Sequence, residues 1–455
     1  MALRPLVVSY SGVRGIVGES LTAETAEKFG DAFGQMIRQR HAAPARVLIG
    51  RDTRPSGPML REGLIRGLAG HGVHIIELGV VPTPTVQIGL SALSAHAGAV
   101  ITASHNPQPW NGFKFFLAPE NTVLDGAQIS ELFRHFERST PAPHATPTTE
   151  ARHDEVIAEH VQRVLRHVDV EAIRARRLRV AIDPGRGAGE EPALALLRAL
   201  GADPVLVTSS RESEPVPEQL GELMATVCAA RCDVGFAQDL DADRLALVTE
   251  QGLAPGEDCT LVLVVDHLLQ RPEASNAVVV KNVATTIALD EVVRRRGGTI
   301  VETRVGEINL SRALMQHVAQ GRYAIGGEGN GGIIFPPVCV GRDSVTGMAL
   351  VLEVLARGTQ TIGERLRALP SLHTRKARVA IPIGIAIADL YQRLESAFPH
   401  HAIDHLDGVR VRLADGSWFG VRPSNTEPVL RIMAESRSAP WTERTIAQVE
   451  ALLTC

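Results

Sequence analysis

Arg46-Val47-Leu48-Ile49-Gly50 is a short apolar run between a charge and a glycine, and together with the next 27 or so residues it decides the fold. A helical pattern over 59–69 comes next, then Gly70-His71-Gly72, then a second run, Val73-His74-Ile75-Ile76-Glu77. A strand, a helix, a glycine break and a second strand within about 30 residues describe a parallel βαβ unit. The pattern returns as strand 178–182, helix 193–200, Gly201 and strand 204–207. It returns again as strand 277–280, helix 287–296, Gly297-Gly298 and strand 299–303. Three copies along one chain predict three α/β domains built alike.

The length agrees, since 455 residues hold three or four ordinary domains. The Pro/Thr-rich segment Ser139-Thr140-Pro141-Ala142-Pro143-His144-Ala145-Thr146-Pro147-Thr148-Thr149 reads as a connection after the first domain. Further breaks are expected near 252–256 and 369–371. The tail differs, with a strand at 376–382, a helix at 389–397 and a hairpin from 408–413 and 418–421. The expected division is therefore 1–150, 151–255, 256–370 and a smaller α+β domain at 371–455.

Composition excludes several classes of function. Apolar residues make up 44% and charged residues 22%, normal for a globular protein. Aromatic content is only 4%, which argues against bases stacked on aromatic platforms. The net charge is −4, the pI about 6.5, and no long basic run appears, so neither nucleic acid nor an anionic membrane is expected as a partner. Five cysteines, an odd number with no CxxC pair, indicate a reduced compartment; Cys228 and Cys232 read as packing residues of one helix. Met1-Ala2-Leu3-Arg4-Pro5 lacks a signal-peptide pattern, and no apolar run approaches the ~20 residues of a membrane helix. A cytoplasmic protein, monomer or homodimer, is the expectation.

Four segments carry chemistry. In Thr102-Ala103-Ser104-His105-Asn106-Pro107 a serine follows the apolar run Ala97-Gly98-Ala99-Val100-Ile101. Such a hydroxyl is a nucleophile or phosphate carrier if something nearby takes its proton, and an ordinary turn otherwise. Gln238-Asp239-Leu240-Asp241-Ala242-Asp243-Arg244 puts carboxylates at i, i+2 and i+4, on one side if the backbone is extended. Three like charges so close call for a hard cation such as Mg²⁺. An EF-hand reading fails because its sixth position needs glycine and is Arg244, and both flanks read as strands.

Gly326-Gly327-Glu328-Gly329-Asn330-Gly331-Gly332 exposes backbone and offers Glu328 and Asn330 to sugar hydroxyls, without the order of a dinucleotide fingerprint. Arg422-Pro423-Ser424-Asn425-Thr426-Glu427-Pro428 makes a phosphate cradle or a polar turn. Arg14 and the stretch Arg51-Asp52-Thr53-Arg54 are arginines in Gly-rich turns, which salt bridges alone would explain. Lys281, at a strand end, is either a surface residue or a charge in a cleft. One motif in each domain predicts a cleft where four domains meet.

In this order and these domains, the four motifs resemble the α-D-phosphohexomutase family over essentially the whole chain. The resemblance implies three related α/β domains with mixed sheets plus a smaller C-terminal α+β domain around a central cleft. It implies phosphoryl transfer between O6 and O1 of a hexose phosphate, through a phosphoserine at Ser104 and a sugar 1,6-bisphosphate that serves as intermediate and activator. Mg²⁺ would be held by Ser104 and by Asp239, Asp241 and Asp243. Ser104, Lys114, Arg14 and His105 would form the catalytic set, with His105 as readily a loop holder. Arg244, Lys281, Glu307, Glu328, Asn330, Arg422, Ser424, Asn425 and Thr426 would bind substrate.

The chain also departs from the family. Many members read Gly-Glu-x-Ser-Gly-His in the sugar loop, where this chain has Asn330 for the serine and Gly332 for the histidine. Glycine cannot act as acid or base, so that role falls elsewhere or is weaker. Glu307 stands where some members carry a basic or imidazole side chain, and an anion there suits an amino sugar. Glucosamine phosphate is therefore the expected substrate, with mannose and glucose phosphates as the alternative. A serine phosphatase and a non-catalytic sugar-phosphate binder are the remaining rivals.

Overall fold

The computed structural model describes residues 6–9, 12–42, 44–140, 146–211, 214–382, 384–424 and 429–454. Each of the three sequence repeats forms two parallel strands as read. Arg46–Arg51 pairs in parallel with His74–Val80, Arg179–Asp183 with Asp203–Leu206, and Val278–Asn282 with Thr299–Thr303. The connecting helices are Gly57–Ala69, Glu190–Ala199 and Ala288–Arg295. Their apolar faces turn inward: Leu60, Leu64 and Leu68 in the first, Leu196 and Leu197 in the second, Leu289, Val292 and Val293 in the third.

The repeat extends further than the two strands. In each unit a third strand joins the first in parallel on its other side, and a fourth then returns antiparallel to the third. These pairs are Ala97–Ile101 with Trp110–Leu117, Val234–Gln238 with Leu245–Thr249, and Ala324–Glu328 with Gly332–Ile334. The sheets are thus mixed. The turn from third to fourth strand holds Ser104 in the first unit, Asp239 to Asp243 in the second and Asn330 in the third. The three chemical motifs occupy one equivalent position, beyond the carboxyl end of a central parallel strand, where open α/β sheets bind ligands.

The first unit widens to eight strands. Phe29, Phe33, Phe113 and Phe115 pack on one face of its sheet, and Leu48, Ile76, Val86 and Phe116 on the other. Units two and three share a core, in which Ile182, Phe236 and Leu245 meet Val279, Ile325 and Leu350. The tail forms a five-stranded antiparallel sheet under the helices Ile387–Ala397 and Ala439–Thr454. Val409 and Val421 face each other across its predicted hairpin.

Three details differ from expectation. Part of the Pro/Thr-rich connection is a strand, Thr148–Ala151, parallel to His74–Val80. Its pattern Thr-Thr-Glu-Ala is polar because it lies at the sheet edge, mostly exposed, and so gave no apolar signal. Cys232 lies beyond its helix, Gly221–Ala230, which ends on Arg231 in the left-handed conformation, φ +52°. The Asp239–Asp243 segment is a turn rather than extended chain, with Ala242 at φ +52°. No helix among the described residues is long and apolar enough to cross a membrane.

Candidate active site

Ser104 is buried and itself left-handed, φ +49°. A non-glycine residue held there carries strain that the surroundings must offset. Arg54 supplies much of that support. Its Nη2 donates to Ser104 O at 2.8 Å and Asn106 O at 2.6 Å, and its Nη1 to Pro107 O at 3.1 Å and Trp110 O at 3.0 Å. Asp52 accepts from Arg54 Nε at 3.2 Å and from Thr102 Oγ1 at 2.7 Å, and Thr102 Oγ1 accepts from Ser104 N at 2.8 Å. Burial pushes the Asp52 carboxyl up to about 6, against the pull of Arg54. The salt-bridged turn Arg51 to Arg54 is therefore the scaffold of the serine loop.

The hydroxyl faces the second unit. Ser104 Oγ donates to Asp239 Oδ2 at 3.2 Å. Asp239, Asp241 and Asp243 are fully buried, with carboxylate oxygens within 4.8 Å of one another. Burial raises the Asp239 pKa far above the usual carboxylate range, and its two neighbours add to that. Lys114 Nζ sits on Asp241 Oδ2 at 2.6 Å and Asp243 Oδ2 at 2.9 Å. Burial alone would lower its pKa, but these two carboxylates raise it above the ordinary lysine value. Asp241 Oδ1 and Asp243 Oδ1 remain buried without a hydrogen-bond partner, Asp243 Oδ1 having only the longer contact of Arg244 Nε at 3.9 Å. Such orphaned anionic oxygens are costly unless a cation takes them, so this donor set fits a hard divalent ion.

The loop is fixed from three sides. Thr83 Oγ1 donates to Asp241 Oδ2 at 2.7 Å, and Asp239 Oδ1 accepts from the backbone N–H groups of Asp243 and Arg244, each at 3.1 Å. Ser344 Oγ donates to Ala242 O at 2.6 Å. Arg244 reaches Glu214 and also His105, where Nη2 donates to Nδ1 at 2.9 Å. That cation, followed by burial and Arg14, holds His105 well below the usual imidazole range. His105 is thus a neutral acceptor in the loop. Arg14 donates through Nη1 to Asn106 Oδ1, and burial lowers its guanidinium to about 10.

The glycine-rich segment is a hairpin. Glu328 ends its first strand, and Oε1 accepts from Asn282 Nδ2 at 2.8 Å. Asn330 Oδ1 accepts from Gly332 N at 3.2 Å, and its Nδ2 approaches Glu328 Oε2 at 3.4 Å. At the tip, Gly331 has φ +81° and its carbonyl accepts from Leu245 N at 3.1 Å; a Cβ there would stand 2.4 Å from Leu245 O. Glu307 opens the helix Glu307–Ala319 and is buried. Its Oε1 has no hydrogen-bond partner.

Sequence reasoning missed the residue that joins these parts. Arg342 donates to Glu307 Oε2 at 3.1 Å, Glu328 Oε2 at 2.8 Å and Asp243 Oδ2 at 2.7 Å. The only sequence signal was a polar Gly341-Arg342-Asp343-Ser344 ahead of the apolar helix Ser344–Ala356.

Two expectations fall outside this cluster. Lys281 is not in a cleft wall: it is fully buried, with Nζ on Asp290 Oδ1 at 2.5 Å and on the carbonyls of Thr285 and Thr286. On a central strand behind the hairpin, a lysine side chain needs such polar partners to offset its burial. Arg422 is the penultimate residue of the strand Trp418–Pro423, with Nη1 donating to Pro423 O at 3.4 Å, and Ser424 N donates to Val429 O at 2.8 Å. Asn425 and Thr426 lie outside the described residues.

Comparison with known proteins covers most of the chain. Models of phosphoglucomutase/phosphomannomutase alpha/beta/alpha domains I, II and III match residues 6–142, 158–252 and 256–373, and the model of the C-terminal domain matches 385–452. A phosphoglucomutase/phosphomannomutase of Thermococcus kodakarensis is 36% identical, covering 94% of each chain. A probable phosphoglucosamine mutase of Methanopyrus kandleri is 35% identical over 94% of this chain and 93% of its own. The solved structure of a phosphoglucomutase/phosphomannomutase family protein from Burkholderia thailandensis superposes with a TM-score of 0.83 at 27% identity, covering 98% of this chain and 97% of that one.

Proposed function

This chain belongs to the phosphoglucomutase/phosphomannomutase family, and we propose that it interconverts glucosamine 6-phosphate and glucosamine 1-phosphate. The observation that carries the phosphoryl chemistry is Ser104 Oγ aimed at Asp239, beside the orphaned oxygens of Asp241 and Asp243. A phosphate on Ser104 would stand against this carboxylate cluster, an arrangement that calls for a bridging cation. Mg²⁺ held by Asp239, Asp241 and Asp243 would supply charge neutralisation for the transferring group.

Phosphoryl transfer depends mainly on positioning and charge. The bond from phosphorus to Ser104 Oγ breaks as one forms to the free sugar hydroxyl, whose proton leaves to a group at the site. Arg14, whose guanidinium burial lowers to about 10, is the candidate for that proton, and Lys114, held protonated by Asp241 and Asp243, is a candidate for contact with the phosphate. The bisphosphorylated sugar then turns over and returns its other phosphate to Ser104. Arg422, Ser424, Asn425 and Thr426 are the proposed grip for the phosphate that is not reacting. Glu328 and Asn330 are the proposed hydrogen-bond partners of the sugar hydroxyls.

The amino sugar is favoured by Glu307. A buried carboxylate oxygen without a partner suits an ammonium group, which supplies charge and donors together. The name of the Thermococcus kodakarensis relative favours a second reading, a phosphomannomutase/phosphoglucomutase. Comparing kcat/KM for glucosamine, mannose and glucose phosphates in one assay decides between them. The first reading predicts the highest value for glucosamine 6-phosphate.

A further inference from the structure

We propose that Arg342, admitted by the bare backbone at Gly332, is a positioning residue that sets the preference for an amino sugar over a neutral one. The inference rests on the amino-sugar reading above. Arg342 is buried, and each of its three nitrogens meets a carboxylate from a different segment: Nε at Glu307, Nη1 at Glu328 and Nη2 at Asp243. A guanidinium is a rigid planar fork, so one side chain fixes the relative places of three carboxylates. Glu307 gives Oε2 to this fork, which leaves Oε1 as the unpartnered atom. The arginine thereby decides which oxygen is left to a ligand. An ammonium on the sugar gains a charge-assisted bond there, while a hydroxyl gains a weaker one.

Gly332 is the structural condition for this arrangement. A Cβ on it would lie 2.3 Å from Arg342 Cδ and 2.9 Å from Cγ. Any side chain at that position would push the arginine stem aside. The bare backbone at Gly332 thus makes room for a cation beside the hairpin.

The rival account is that Arg342 is only a counter-ion for buried carboxylates. Arg342→Lys keeps one cation among them and so fills that role, but it loses the fork. Gly332→Ala displaces the fork by an independent route and leaves its charge intact. Steady-state kinetics with glucosamine 6-phosphate and glucose 6-phosphate read the outcome. In both variants the ratio of the two kcat/KM values should fall by about tenfold from wild type, through a higher KM for the amino sugar with kcat less affected. A wild type that prefers the amino sugar, with variants that keep its ratio while losing activity on both sugars alike, overturns this inference alone. A wild type with no such preference overturns the substrate reading and this inference with it.

Discussion

Ser104 combines burial, a left-handed backbone and a carboxylate partner, three costs that an ordinary turn serine would not bear. Ser104→Ala removes only the hydroxyl. We expect mutase activity to fall at least about a thousandfold, with thermal stability changed by less than about 1 kcal/mol. Unchanged turnover in that variant would contradict a phosphoserine relay. Asp241→Asn removes one charge from the carboxylate set, and the Mg²⁺ concentration needed for half-maximal activity should rise by about tenfold or more. If chelator leaves the wild type indifferent, the metal assignment fails. Ser104 and the three aspartates were legible because each sits in a distinctive local pattern. Arg342 was not, since its partners Asp243, Glu307 and Glu328 are remote in sequence and only the packed fold brings them to one guanidinium.

At the scale of elements, the informative unit is the turn between the third and fourth strands, used three times. Its strands were readable as apolar runs, because strands buried on both faces carry few polar residues. What holds the turns was not readable. Arg54 looked like one of several arginines in a glycine-rich stretch, yet it gathers four carbonyls of the serine loop. Arg54→Ala leaves Asp52 buried without its cation and should cost about 3–5 kcal/mol in unfolding free energy, measured by denaturant titration. A loss below about 1 kcal/mol would show that the loop has other supports. The aspartate loop was misread as extended because alternation in sequence, Asp-x-Asp-x-Asp, imitates the period of a strand. The left-handed Ala242 converges the carboxylates instead. The edge strand Thr148–Ala151 escaped notice because exposure removes the hydrophobic pattern on which strand reading depends.

At the scale of the molecule, the C-terminal sheet docks on the third unit through charge. Glu302 takes Arg410 in a bidentate pair at 2.8 and 2.6 Å and Arg412 at 2.5 Å, and Val305 N donates to Asp407 Oδ2 at 2.9 Å. Val305 lies two residues before Glu307, so the dock and the Glu307 carboxylate share a segment. Burial would raise the Glu302 pKa, but Arg410, Lys281 and Arg412 together bring it down to about 2. A depressed carboxylate stabilises the fold above its unfolded pKa and loses that contribution as pH falls toward the folded value. Partial exposure screens the pair, so the contribution is on the order of 1–3 kcal/mol, present above pH ~4.5 and lost progressively toward pH ~2. Glu302→Gln should therefore lower Tm at neutral pH, with the gap to wild type narrowing below pH ~4.5. A gap independent of pH would contradict the ion-pair account. The division into four units was legible from repeats and composition, whereas this interface was not, because its charges lie on strands whose partners are set by tertiary docking.

The proposed reaction moves phosphate from Ser104 to a hexose phosphate and back. Its most direct test is to load the enzyme with ³²P at Ser104, add Mg²⁺ and unlabelled glucosamine 6-phosphate, and follow the label. The account predicts that label leaves the protein and appears in the sugar phosphates as glucosamine 1-phosphate accumulates, with none incorporated in Ser104→Ala. Label released only as inorganic phosphate, or retained on the protein while product forms, would contradict it.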